Sequence, residues 1–193
     1  MKNKAIFLDR DGVINRAYIR EGKSYPPSTL DEFIVLDGVK EALHLSKKMG
    51  FLNIIVTNQP DIGTKKQSRK DLDQIHNYIK KNLAIDDIFI CIHLDFDACT
   101  CRKPLPGMLV AAQKKWQIDF EKSFLVGDRW RDIGAAQAVG CEAFFIDYGY
   151  DERRPDFPYR IVPSLKEAIH TIGQVALLEE DAGQTPNNLA SEL

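Results

Sequence analysis

Long hydrophobic runs are missing from this 193-residue chain: no apolar stretch approaches the roughly 20 residues that a membrane-spanning helix needs. The opening Met1-Lys2-Asn3-Lys4 leads straight into a strand-like segment rather than a secretory signal, so a cytoplasmic setting is expected. An excess of charge of one sign is also missing. With 26 basic and 28 acidic residues the formal charge is −2, which gives no global electrostatic case for nucleic acid or a membrane surface. The lysine pairs at 47–48, 65–66, 80–81 and 114–115 have no aromatics interleaved with them and read as solvated faces. An anionic partner must therefore be held locally. Cysteine is scarce: of four, Cys91, Cys99 and Cys101 crowd into eleven residues beside His93, which points to a metal in a reducing compartment rather than a disulfide framework. Cys141 stands apart and reads as a small buried hydrophobe. Internal repeats are absent as well. A chain of this length buries a core without disulfides, and we expect one monomeric domain over residues 1–175, with residues 181–193 a polar, disordered tail.

What is present alternates. Ala5 to Leu8, Leu52 to Val56, Ile88 to Ile92, Phe124 to Val126 and Ala143 to Ile146 are short, nearly unbroken apolar stretches that read as buried parallel strands. Between them lie segments with apolar residues at three- and four-residue spacing, Val39 to Lys48, Arg69 to Asn82, Gly107 to Lys115 and Ile133 to Val139. A last helix runs from Leu165 to Ile172 and on toward Glu180. The pattern predicts an α/β, three-layer Rossmann-like fold with a doubly wound parallel sheet, whose ligands bind beyond the carboxyl ends of the strands. Asn15 to Glu32 reads as a polar loop long enough to rim a site, and Arg154 to Pro163 as a surface connection. No large cap domain is evident.

The chemistry-bearing residues fall at those strand ends. Asp9-Arg10-Asp11-Gly12 sets two carboxylates two residues apart after the first strand, where alternation points both the same way. Alone, this is also the pattern of a strand-to-loop turn with solvated acids. A hard cation such as Mg²⁺ would relieve the like charges, leaving Asp9 as nucleophile and Asp11 as general acid and base. Thr57 ends the second long strand with a hydroxyl suited to a phosphoryl oxygen, and Lys103 offers a cation for developing phosphate charge. Gly127-Asp128-Arg129-Trp130-Arg131-Asp132 closes another strand. Asp128 suits the metal; Asp132, one helical turn on, either orients Lys103 or the metal's water shell, or interacts with the helix N-terminus. Asn58, Arg102 and Arg129 adjoin these positions as substrate-binding candidates, and Trp130 or Arg131 as rim residues. His44, His76 and His170 read as surface or packing residues.

These four segments, in this order, resemble the haloacid dehalogenase-like hydrolases, and among them the small capless, zinc-loop heptose bisphosphate and histidinol-phosphate phosphatases. The resemblance spans roughly Ala5 to Ile172. It implies an aspartyl-phosphate on Asp9, general acid–base work by Asp11, phosphate binding by Thr57 and Lys103, and Mg²⁺ held by Asp9, Asp128 and the backbone carbonyl of Asp11. A sugar phosphate substrate from bacterial surface polysaccharide synthesis is implied by resemblance alone.

Cys91-Ile-His93 followed by Cys99-Thr-Cys101 supplies three thiolates and an imidazole, a closed tetrahedral set that suits structural Zn²⁺ and staples a loop poor in apolar residues. The resemblance carries the same assignment. Five residues separate His93 from Cys99, which favours the histidinol-phosphate type, whereas Lys103 to Leu109 and Gly127 to Cys141 are closer to the heptose type. Pro60-Asp61 departs from the small serine and glycine of the latter. A zinc-stapled binding module without catalysis is the rival from another class.

Overall fold

The computed structural model describes residues 2–182, with side chains through residue 175. The expected tail thus lies outside the described residues apart from 181 and 182, which close the last helix. Strands β1 (Lys4–Leu8), β4 (Phe51–Asn58), β5 (Asp87–Cys91), β6 (Phe124–Gly127), β7 (Glu142–Ile146) and β8 (Arg160–Val162) form one sheet in the order β5-β4-β1-β6-β7-β8. Every pairing in it is parallel. A separate antiparallel hairpin joins β2 (Tyr18–Arg20) to β3 (Lys23–Tyr25).

β1 explains the layers by itself. Its side chains alternate, so Ile6 and Leu8 enter one apolar cluster while Ala5 and Phe7 enter the other. Helices α1 (Val39–Lys48), α3 (Arg69–Asn82) and α6 (Leu165–Ala182) cover the first face through Leu43, Ile75, Ile79, Ile169 and Ile172. Helices α4 (Gly107–Trp116) and α5 (Trp130–Gln137) cover the second through Leu109, Ala112, Ile133 and Ala136. A strand buried on both faces must be apolar throughout, which is why these strands read as continuous runs.

The chain leaves β1 toward β4 on one side and returns at β6 on the other, so the order reverses between β1 and β6. Doubly wound sheets open their ligand crevice at such a reversal. Asp9 and Asp128 directly follow these two strands.

Four elements depart from the sequence reading. Arg160 to Val162, expected as connection, is the edge strand β8, of which only Val162 is buried. The loop from Asn15 to Glu32 contains the β2–β3 hairpin. α5 begins at Trp130, three residues before Ile133, because the Asp132 carboxylate accepts from the Arg129 N–H (3.0 Å) and caps the first turn. A one-turn helix, α2 (Pro60–Gly63), also follows β4.

Candidate active site

Asp9 lies just past β1, with its N–H donating to the Val126 carbonyl of β6 at 3.0 Å. Beyond the strand ends opens a cavity of about 320 Å³ lined by Asp9, Asp11, Asn58, Arg102, Lys103, Arg129, Arg131 and Asp132, with Ser24, Tyr25 and Pro26 of the hairpin side. Trp130 is not among its lining residues; its ring instead carries the Arg131 and Arg153 guanidiniums.

Lys103 is 2% exposed, and its ammonium meets Asp9 Oδ1 at 2.9 Å, the Val56 carbonyl at 2.7 Å and the Asp132 carboxylate. Burial alone would discharge it; Asp132 first, then Asp9, outweigh that and hold its pKa above the ordinary lysine value. Its backbone is fixed by Asn58, whose Oδ1 accepts from the Lys103 N–H and whose Nδ2 donates to the Lys103 carbonyl, both at 3.1 Å. Asn58 is therefore engaged with the lysine on both side-chain atoms. Asp132 touches both groups at once, one oxygen accepting from the Arg129 N–H at the start of α5 and the other meeting Lys103.

Asp9, Asp128 and Asp132 bring carboxylate oxygens within 4.8 Å of one another. Three buried carboxylates and one ammonium leave two negative charges, the amount one divalent cation cancels. Burial foremost, then the Asp132 charge, pushes Asp9 up to about 6 against the pull of Lys103. Burial, then Asp9 and Asp132, raises Asp128 well above the ordinary carboxylate value. Asp128 Oδ1 is buried and has no hydrogen-bond partner, so the donor set fits a hard cation. Gly12 is required for the approach: with φ 89°, a Cβ there would lie 2.0 Å from Asp128 Oδ2.

Asp11 faces the same cavity but is neutralised differently. The Arg10 guanidinium reaches both of its oxygens at 3.0 Å, Asn15 Nδ2 donates to Oδ1 at 3.0 Å, and Gln59 Nε2 donates to Oδ2 at 2.8 Å. Arg10 is fully buried and also meets Gln59 Oε1 at 3.0 Å and His76 Nε2 at 3.1 Å. Burial, then the Arg10 charge, lowers the His76 pKa to about 3, so the ring is a neutral acceptor. Thr57 is 1% exposed and its hydroxyl accepts from Gln59 Nε2 at 2.9 Å.

Beside the cavity, Cys91, His93, Cys99 and Cys101 place four donor atoms within 4.8 Å of one another. Cys91 Sγ lies 3.8 Å from Cys99 Sγ and 3.5 Å from His93 Nδ1. Bonds of about 2.3 Å to sulfur and 2.0 Å to nitrogen give tetrahedral edges of about those lengths. The cysteines are free thiols, and the same loop carries Arg102, tied to Asp95 at 2.6 Å and to the His93 carbonyl at 3.1 Å.

A family model described as HAD-hydrolase-like matches residues 100–168. The D-glycero-alpha-D-manno-heptose-1,7-bisphosphate 7-phosphatase of Burkholderia mallei is 38% identical over 154 residues, covering 72% of this chain and 77% of its own. This chain belongs to the haloacid dehalogenase-like phosphatases. The phosphatase is also 35% identical over 139 residues to the D-glycero-beta-D-manno-heptose-1,7-bisphosphate 7-phosphatase of Helicobacter pylori strain J99, covering 68% of this chain and 75% of the relative. Its fold matches the crystal structure of D,D-heptose 1,7-bisphosphate phosphatase from B. bronchiseptica, complexed with magnesium and phosphate. The TM-score is 0.79 at 28% identity, over 89% of this chain and 99% of that one.

Sequence reasoning left several residues of this phosphatase's site unread. Arg10 was visible between the two aspartates but carries no strand-end signal of its own, and Gln59 and His76 join it from 49 and 66 residues away. Tyr148 and Tyr150 arrive from the segment after β7, where Tyr148 donates to the Gly12 carbonyl at 3.0 Å and Tyr150 to Asp128 Oδ2 at 2.8 Å.

Proposed function

We propose that this phosphatase removes the 7-phosphate of a D-glycero-D-manno-heptose 1,7-bisphosphate with Mg²⁺, through a phosphoryl group carried on Asp9. The observation that supports this reading best is the buried Asp9–Lys103–Asp132 chain beside a cavity that three arginines, Arg102, Arg129 and Arg131, also line. Arg102 and Arg131 share Asp95, and Arg129 pairs with Glu152. Guanidiniums held this way suit a second phosphate, which a bisphosphate substrate presents and a monophosphate does not.

An Asp9 oxygen bonds to phosphorus as the phosphorus–oxygen bond to the sugar breaks, and Asp11 gives its proton to the departing alkoxide. Asp11 then takes a proton from water as the water oxygen attacks the aspartyl-phosphate, releasing phosphate and restoring Asp9. Lys103 offsets charge on the phosphoryl oxygens, and the Thr57 hydroxyl donates to one of them. Asp9, Asp128 and the Asp11 carbonyl would hold Mg²⁺, which when bound would supply positive charge to offset the carboxylates and the phosphoryl group. Arg10, Gln59 and Asn15 fix the Asp11 carboxyl in the cavity. Cys91, His93, Cys99 and Cys101 would hold a structural Zn²⁺, which would anchor the loop delivering Arg102 and Lys103.

Metal binding should be proton-linked. In the metal-free protein the Asp9 pKa is raised from an ordinary 3.8 to about 6, so its contribution to stability is full below 3.8 and lost as pH rises toward 6. Mg²⁺ displaces that proton, so its stabilising effect grows with pH through the same window, and the raised Asp128 carboxyl adds to the rise. Melting temperatures with and without Mg²⁺ across the window check this; a Mg²⁺ effect that shrinks with rising pH contradicts it.

The substrate assignment is tested by phosphate release with Mg²⁺ from both anomers of the heptose bisphosphate, from other sugar phosphates and from histidinol phosphate. The bisphosphates should give the highest kcat/KM. Preference for histidinol phosphate would fit the short His93–Cys99 spacing and replace the substrate while keeping the mechanism, and ligand binding without turnover on any of them would favour the binding module.

A further inference from the structure

Tyr150 has no place in the chemistry described so far, although its hydroxyl donates to Asp128 Oδ2 at 2.8 Å from a loop that follows β7. Asp128 is 1% exposed, and its other oxygen, Oδ1, is buried without a partner. A carboxylate free to rotate about its own bond would exchange the two oxygens. Here Oδ2 is occupied by the phenol and lies so near the Gly12 turn that a Cβ there would come within 2.0 Å of it, which leaves Oδ1 as the oxygen without a partner. The phenol is itself fixed. Its ring stacks on Tyr148 at 5.6 Å between centroids, and Tyr148 donates to the Gly12 carbonyl at 3.0 Å. The Asp151 N–H donates to the Gly22 carbonyl at 2.8 Å and Glu152 pairs with Arg129, so the loop is braced on both the hairpin and the start of α5.

We propose that Tyr150 is a positioning residue for the divalent cation: it locks the Asp128 carboxylate so that Oδ1 is presented to the metal, while Tyr148 braces both the phenol and the Gly12 turn. Partners of metal ligands typically change metal affinity ten- to a hundredfold when removed, because the ligand must then be ordered on binding. The inference rests on the proposed Mg²⁺ site, and the experiment separates the two. Mg²⁺ binding to Tyr150→Phe and to the wild-type protein is measured by calorimetry, alongside the Mg²⁺ dependence of turnover. Phe keeps the stacked ring and deletes only the hydroxyl.

The variant should bind Mg²⁺ on the order of ten- to a hundredfold more weakly. Its half-saturating Mg²⁺ concentration should shift by the same factor, and kcat should recover at saturating metal. Unchanged Mg²⁺ affinity overturns the proposal, including the case in which the metal-free melting temperature falls, which would mark Tyr150 as structural only. Wild-type protein that binds no Mg²⁺ overturns the metal site itself and the positioning role with it.

Discussion

Lys103→Met is expected to lose on the order of a thousandfold in turnover while keeping its affinity for Mg²⁺. The side chain is buried against Asp9, Asp132 and the Val56 carbonyl, so methionine fills the space and removes the charge. Breaking one side of a buried ion pair costs about 3–5 kcal/mol, a large share of the roughly 5–15 kcal/mol that holds a domain folded. The variant should melt well below wild type. Part of that cost is avoided at the expense of function. Lys103 opposes the burial that already pushes Asp9 up to about 6, so without it Asp9 protonates more readily and cannot attack phosphorus. At a pH high enough to keep Asp9 ionised, Mg²⁺ affinity should hold or rise, because the lysine's positive charge no longer competes within the carboxylate cluster. Turnover near wild type would show that the phosphoryl charge is offset elsewhere.

Removing the zinc-loop ligands is expected to separate fold from activity. Cys101→Ser, or extraction with a strong chelator, should abolish most turnover while leaving the helix and sheet signal in circular dichroism largely intact. The reason is where the loop draws its order. Phe96 at its tip is 81% exposed, whereas the sheet and helices have two buried clusters of their own. Lys103 keeps its own anchors in Asp9, Asp132 and Asn58, but without four donors to a metal the segment before it, residues 92–101, is left with polar ties such as the Asp95 pairs with Arg102 and Arg131. Hydrogen exchange should rise in that segment and stay low in β1 and β4. Full activity after complete zinc loss would contradict the delivery role given to the loop.

The helices whose boundaries agree end for end with the sequence reading, Val39–Lys48 and Arg69–Asn82, carry their signals locally. In α3, Ser68 accepts from the Asp71 N–H at the start and lysines crowd the last turn, with Leu72, Ile75 and Ile79 on one face. β8 was illegible because three residues near Pro158 and Pro163 bury a single side chain, and its strand character comes from pairing with β7 rather than from its own pattern. The hairpin's polar strands hid it too, although Glu21-Gly22, both at positive φ, is the kind of turn that joins such strands. The aspartates that gather at the crevice, Asp9, Asp11, Asp128 and Asp132, were legible because they follow strand ends. The partners of Asp11 were not, since Arg10, Gln59 and His76 meet only when α3 packs beside the β1–β4 pair, and no spacing in the sequence encodes that meeting.

The claim on which the rest depends is that Asp9 carries the phosphoryl group. Wild-type protein mixed with Mg²⁺ and the heptose bisphosphate, quenched in acid within the first turnover and digested, should yield the peptide containing Asp9 heavier by one phosphoryl group. Asp9→Asn should give neither the adduct nor released phosphate. Phosphate release by Asp9→Asn at a wild-type rate, or an adduct on any other residue, would contradict it.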